Sequence, residues 1–247
     1  MQTLLRYPGG KSRAVKVLKP YIPGDVKEIC SPFFGGGSLE IALANDGVKV
    51  YGYDVFKPLV EFWQTVIENP EQLTKEVKSY YPLSKEAFYE LQKEQDVLPT
   101  KLQRASAFYV LNRCSFSGST LSGGMSPNHP RFTTGSIEKI NKFKAKNLSV
   151  ECLDFKESIN KHENTFLYLD PPYYIKSNLY GKKGNTHKDF DHEGLAETLK
   201  SRKGWILSYN NCEYIREIYK GYSFVFPEWA YGMSKDKESK EILILNY

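Results

Sequence analysis

The sequence predicts an α/β fold: a mostly parallel sheet with helices on both faces, a C-terminal antiparallel hairpin and an inserted helical lobe. Three observations predict it. Short apolar runs alternate with helical patterns, the last two runs have no helix between them, and residues 57–146 interrupt the alternation with consecutive helical patterns.

The strand-like runs are Val26–Cys30, Val48–Tyr53, Leu148–Cys152, Thr165–Leu169, Trp205–Tyr209, Tyr222–Phe226 and Glu241–Asn246. Several are almost continuously apolar, as strands buried on both faces require. Helical patterns run over Gly10–Leu18, Ser38–Asn45, His192–Lys200 and Cys212–Tyr219, and Gly204, Asn211 and Gly221 fit cap positions. In such a sheet, ligands gather at the carboxyl ends of the strands.

Residues 1–56 and 147–247 are expected to form the sheet-bearing domain, and 57–146 the inserted domain. Late in the insert, 115–136 reads as a loop rich in Gly, Ser and Pro.

Bulk properties narrow the function. With 247 residues, 40% of them hydrophobic, the chain can bury a full core. Apolar runs such as Ile242–Leu245 and Thr165–Leu169 fall far short of the ~20 residues of a membrane span, and the N-terminus lacks a signal-like apolar region. A soluble, intracellular protein is expected. Cys30, Cys114, Cys152 and Cys212 stand singly, so reduced and mostly buried thiols are expected, with no metal site and no disulfide framework.

The net charge of +5 is unevenly spread. Between Lys101 and Asn147 eight Lys or Arg face one acid, Glu138, giving +7 there and −2 for the rest. Such a concentration suits a phosphate backbone; a solvated lysine face is the alternative.

The chemistry begins at the first strand, which runs into Pro32-Phe33-Phe34-Gly35-Gly36-Gly37 before Ser38 opens a helix. Glycines in a strand-to-helix turn let the backbone approach a ligand. The next strand ends in Asp54, where an acid accepts hydrogen bonds from ribose hydroxyls, which implies a nucleoside-bearing cofactor.

The fourth strand runs directly into Asp170-Pro171-Pro172-Tyr173-Tyr174. Two prolines fix their own φ and remove two N–H donors, leaving carbonyls and an aromatic ring beside a carboxylate. That constellation suits a planar amine. The amino group of adenine is a poor nucleophile because its lone pair is delocalised into the ring. A site that accepts its hydrogens through Asp170 and the Pro171 carbonyl favours the attacking geometry, and positioning and fixed dipoles supply the rest.

Together these residues resemble the alpha class of DNA adenine methyltransferases, the Dam-like enzymes, over nearly the whole chain. The resemblance implies a Rossmann-like methyltransferase sheet with a target-recognition lobe, and S-adenosyl-L-methionine as cofactor. Arg6-Tyr7-Pro8-Gly9-Gly10-Lys11 looks like the N-terminal cofactor block, which gives Tyr7 and Lys11 cofactor contacts. Phe34, Gly35, Gly37 and Asp54 match the glycine-rich loop and the ribose acid; Asp170, Pro171, Pro172 and Tyr173 match the catalytic motif, whose acid also borders the cofactor.

Leu111–Gly118, including Ser117, resembles the start of the target-recognition hairpin, while Phe190–Leu199 with His192, and Ile206–Asn210, resemble blocks behind the catalytic loop. The implied reaction flips an adenine from double-stranded DNA, stacks it on Tyr173, with Tyr174 lining the same pocket, and methylates it by in-line transfer. Arg113 and Arg131 would read base edges while Lys139, Lys142, Lys144 and Lys146 contact phosphates. The polar stretch 175–188 would close over the extruded nucleotide. No membrane or obligatory protein partner is implied, and a cognate restriction endonuclease acting on the same site is one possible associate. The segment after Arg113 departs from the best-known bacterial members, which leaves the GATC target open.

Gly9-Gly10-Lys11-Ser12 invites a phosphate-loop reading, but Leu5 stands where that motif needs glycine and no strand precedes it. An RNA or other amine methyltransferase would share the Asp-Pro-Pro-aromatic motif; the basic lobe favours DNA. A DNA-binding module that has lost catalysis predicts damage at Lys11, Asp54 or Asp170, which are intact, and a deaminase would need a zinc site that the cysteines do not supply.

Overall fold

The computed structural model describes residues 3–126, 131–174, 190–227 and 241–247. The calls on 127–130 and 175–188 lie outside them. In chain order come α1 (Val15–Leu18), β1 (Glu28–Ser31), α2 (Ser38–Asn45) and β2 (Lys49–Asp54). The helices α3 (Lys57–Glu68), α4 (Pro70–Ser79), α5 (Lys85–Glu94), α6 (Lys101–Cys114) and α7 (Thr134–Asn141) follow. The chain then returns through β3 (Leu148–Cys152), α8 (Phe155–Lys161), β4 (Phe166–Leu169), α9 (His192–Lys200), β5 (Trp205–Asn210), α10 (Glu213–Ile218), β6 (Ser223–Val225) and β7 (Glu241–Asn246).

The strands form one sheet in the order β3-β2-β1-β4-β5-β7-β6. β1 to β5 pair in parallel; β7 lies antiparallel between β5 and β6. The expected antiparallel pair is therefore present, with its second strand wedged against β5. Strand order reverses between β1 and β4, so the segments leaving their carboxyl ends diverge and open a crevice there. The glycine loop follows β1, and Asp170 follows β4.

Alternate strand residues face opposite layers. Ile29, Val50, Val150, Tyr168 and Ile206 join a core with residues of α3 to α7, whereas Cys30, Leu167, Leu169, Leu207 and Tyr209 join one with α8, α9 and α10. The helices of 57–146 thus share the hydrophobic core of one sheet face. Side-chain caps start several of them: Asn69 accepts from Gln72 N–H at α4, and Thr100 with Gln103 forms a capping box at α6.

Three local expectations change. The helix expected over Gly10–Leu18 is confined to Val15–Leu18, because Gly9 takes φ +73° and the chain turns so tightly that a Cβ on Gly10 would lie 2.9 Å from the Tyr7 carbonyl oxygen. α8 was not anticipated; it is short, capped by Asp154, and anchored by Phe155 and Ile159. Asn211 does not cap α10, whose N-cap residue is Cys212 with no side-chain cap bond. All four cysteines are free, but only Cys30 and Cys114 are buried; Cys152 is exposed because it ends the edge strand β3. No described helix is long and apolar enough to cross a membrane.

Candidate active site

The glycine turn after β1 is held from three sides. Asp54 accepts from Gly35 N–H at 3.0 Å through one carboxylate oxygen and from Phe56 N–H at 2.9 Å through the other. The Trp63 indole donates to Gly35 C=O at 3.0 Å. Gly35 and Gly37 take φ +48° and +61°, a region that side chains resist. The Phe34 ring turns inward, edge-on to Trp63 and over Gly52, so whatever it offers a ligand comes from its backbone.

Tyr7 covers the other side of the turn. A Cβ on Gly35 would lie 2.8 Å from the Tyr7 ring, yet the tyrosine keeps 38% exposure. Burial of its hydroxyl, with Asp54 and Asp170 nearby, pushes the phenol pKa up and keeps it protonated. A side-chain-free turn, a ribose-type acid and a half-exposed ring fit a nucleoside-bearing ligand.

Four residues beyond Tyr7, Lys11 crosses to the Asp170-Pro171-Pro172-Tyr173 segment. Its buried ammonium donates to Asp170 at 2.8 Å and to the Tyr173 hydroxyl at 2.6 Å, and lies 3.4 Å from a Glu241 carboxylate oxygen. Loss of water destabilises the ammonium, but the two carboxylates outweigh this and raise the Lys11 pKa. Burial raises the pKa of both Asp170 and Glu241, opposed by Lys11. The three directions agree physically: one ammonium cannot fully compensate two buried carboxylates.

Past Pro171 and Pro172, the backbone of Tyr174 is gripped by Asn210, which accepts from its N–H at 3.1 Å and donates to its C=O at 2.8 Å. The Tyr174 ring stacks on Tyr214 at 4.2 Å and stands edge-on to His192, which is hydrogen-bonded to Tyr209. Thus the blocks containing His192 and Ile206–Asn210 meet directly behind the catalytic motif.

The profile of the D12 class N6 adenine-specific DNA methyltransferases matches residues 7–233. The chain belongs to this family.

The methyltransferase is 24% identical to the type II methyltransferase M.CviBI of Paramecium bursaria Chlorella virus NC1A, over 90% of this chain and 88% of the relative. It is 25% identical to the DNA adenine methylase of Vibrio cholerae, over 89% and 85%, and 22% identical to the type II methyltransferase M.MjaIII of Methanocaldococcus jannaschii, over 100% and 99%.

The residues expected to meet DNA divide into two groups in this methyltransferase. Arg113 donates to the backbone carbonyl of Arg131 at 2.9 Å, and Arg6 donates to Ser115 C=O at 3.1 Å. Burial and mutual repulsion lower the pKa of Arg6 and Arg113, a sign that Arg6, Arg113 and Arg131 form one cationic cluster. Ser117 lies beside it with φ +53°, next to Phe116, which is 65% exposed. The backbone of Cys114–Phe116 pairs with Gly124–Ser126, closing a loop around Ser117. Lys139 and Lys142 are exposed on and just after α7 and are not joined to that cluster, while Lys144 and Lys146 flank the start of β3, at the amino ends of the strands. Elsewhere in the basic segment, Arg104 is committed to a two-pronged ion pair with Glu61.

Sequence reasoning missed Glu241, Asn210's grip on Tyr174, Arg6 as part of the cationic cluster, and Asn112. The Asn112 amide binds both backbone groups of Arg6 at 2.8–2.9 Å and also reaches Thr120. A polar residue closing the apolar run Ala107–Leu111 of α6, or an acid heading an apolar strand, was the available signal.

Proposed function

We propose that this methyltransferase takes its methyl group from S-adenosyl-L-methionine and transfers it in line to the exocyclic amino group of an adenine flipped out of double-stranded DNA. The observation that carries the reading is the position of Asp170-Pro171-Pro172-Tyr173 at the carboxyl end of β4, facing the glycine turn across the switch point and tied to the Tyr7 segment through Lys11. The cofactor supplies an electrophilic methyl on a sulfonium; Tyr7, Lys11, Gly35, Gly37, Asp54 and the Phe34 backbone are the residues that would hold it.

Asp170 and the Pro171 carbonyl accept the amino hydrogens, which directs the nitrogen lone pair toward the methyl group; as the N–C bond forms the S–C bond would break to leave a neutral thioether, and the methylated nitrogen would then release one proton to solvent. Pro172 stiffens the turn, and the Tyr173 ring, fixed by its hydroxyl, provides the face on which the base stacks. Arg6, Arg113, Arg131, Ser117 and exposed Phe116 form the face presented to the duplex, with Lys139 and Lys142 as phosphate contacts further along it. The helices of 57–146 carry most of this target-recognition surface. A cognate restriction endonuclease acting on the same site is the associate that the type II relatives suggest.

The test is incubation with methyl-labelled S-adenosyl-L-methionine and unmethylated DNA or RNA, followed by nucleoside analysis. N6-methyladenine in duplex DNA alone is expected. Label confined to RNA, or retained cofactor binding with no product, would overturn the reading.

A further inference from the structure

One ammonium serves two carboxylates beneath the catalytic motif. Lys11 and Glu241 are both buried; Glu241 heads β7, whose antiparallel register with β5 sets it opposite Asn210. Ser208, two residues back on β5, donates to the Glu241 oxygen that faces Lys11, at 3.2 Å, and so aims it. Tyr173, Tyr168 and Glu40 are the other titratable groups around this corner.

The arrangement poses a problem of occupancy. One oxygen of the Asp170 carboxylate is already bonded to Lys11 at 2.8 Å, so an amino group that comes to Asp170 competes with the ammonium for the same buried negative charge. If Asp170 were the ammonium's only counter-charge, an incoming neutral amino group that displaced the ammonium would leave an uncompensated buried cation, a strongly unfavourable exchange. With Glu241 on its other flank, the ammonium has a second anionic acceptor already at 3.4 Å.

We propose that Glu241 is a positioning residue for methyl transfer, holding the Lys11 ammonium while the target amino group takes over the Asp170 carboxylate. No proton changes hands in this exchange: Lys11 remains protonated, and one hydrogen bond to Asp170 is replaced by another. The inference rests on the reading of Asp170 as acceptor for the amino hydrogens.

The experiment compares Glu241→Gln with the wild-type protein in single-turnover methylation of duplex DNA across pH, alongside thermal melting and DNA affinity. Glu241→Gln is expected to melt and bind DNA much as wild type does, yet to methylate about tenfold or more slowly. Its acid limb is expected to move to lower pH, because the Lys11 ammonium, no longer shared with a second carboxylate, holds the Asp170 carboxylate more fully. In a Lys11→Gln background the same substitution is expected to change the residual rate by less than about twofold, since the ammonium it acts through is gone.

An unchanged rate and acid limb, or effects that multiply in the Lys11→Gln background, would overturn the proposal. Should Glu241→Gln fail to fold, Ser208→Ala removes only the bond that aims Glu241; a severalfold slower rate supports the proposal and an unchanged rate overturns it. Asp170→Asn separates the two readings. Full activity in that variant sinks the acceptor role itself, whereas inactivity there combined with an undiminished Glu241→Gln rate sinks only the role of Glu241.

Discussion

The side-chain amide of Asn210 substitutes for a strand partner at Tyr174, satisfying both its N–H and its C=O. Pro171 and Pro172 have no N–H to contribute to a ladder, so the segment that carries the Tyr173 ring depends on this bracket. Asn210→Ala is expected to lower stability by about 1–3 kcal/mol for two lost hydrogen bonds. It should slow methylation by about tenfold or more through misplacement, with DNA affinity nearly unchanged. Chemical denaturation and single-turnover kinetics check the two halves separately.

Asp170→Ala is expected to abolish methyl transfer while leaving DNA binding largely intact. Filter binding or anisotropy with the same duplex measures the second part; an equal loss of binding and rate would make the carboxylate structural.

Gly52 contributes to the glycine turn from beneath. A Cβ there would lie 2.3 Å from the Phe34 ring, which has no free space to retreat into against Trp63. Gly52→Ala is expected to cost about 1–3 kcal/mol by overpacking and to weaken S-adenosyl-L-methionine binding through displacement of the turn, as calorimetry would show.

Glu40 is buried in α2 and accepts from the Ser31 hydroxyl at 2.8 Å. Burial raises its pKa from 4.5 to about 7. A raised folded-state pKa adds stability that is complete below about 4.5 and lost as pH climbs through about 7. Glu40→Gln should therefore be more stable than wild type at pH 8, by up to about 3 kcal/mol, with the advantage shrinking toward pH 5. Urea titrations at the two pH values test this, and an advantage independent of pH would refute it.

Arg113→Ala is expected to relax discrimination between DNA sites by about 1–3 kcal/mol if the guanidinium reads a base edge. Lys139→Ala should weaken binding to all sequences alike and lower the salt slope by about 1. Competition binding at several salt concentrations distinguishes them; a uniform loss in Arg113→Ala would reassign it to the DNA backbone.

Much of the sheet was legible because its central strands are buried on both faces and therefore read as apolar runs. Asp54 and Asp170 were legible because each terminates such a run. The rest depended on strand order. β7 is last in sequence but lies between β5 and β6, so only the folded sheet brings Glu241 to Ser208 and Lys11; in the sequence it is an acid at a strand end, where solvent is the default partner. Asn112 was hidden in the same way, since its partner Arg6 is 106 residues away. α8 escaped notice because its buried apolar residues, Phe155 and Ile159, make a single contact pair too short for a periodicity.

The grip of Asn112 on Arg6 has a consequence for how such a protein can change. Within six residues, Arg6 to Lys11, the chain passes from the arginine cluster over the glycine turn to the Asp170 carboxylate. Asn112 pins both backbone groups of Arg6, so one buried amide fixes where that ribbon begins. The loop 116–124 borders that ribbon, its Gly118 backbone packed against Arg6, so an insertion at its tip would leave the Asn112 grip in place.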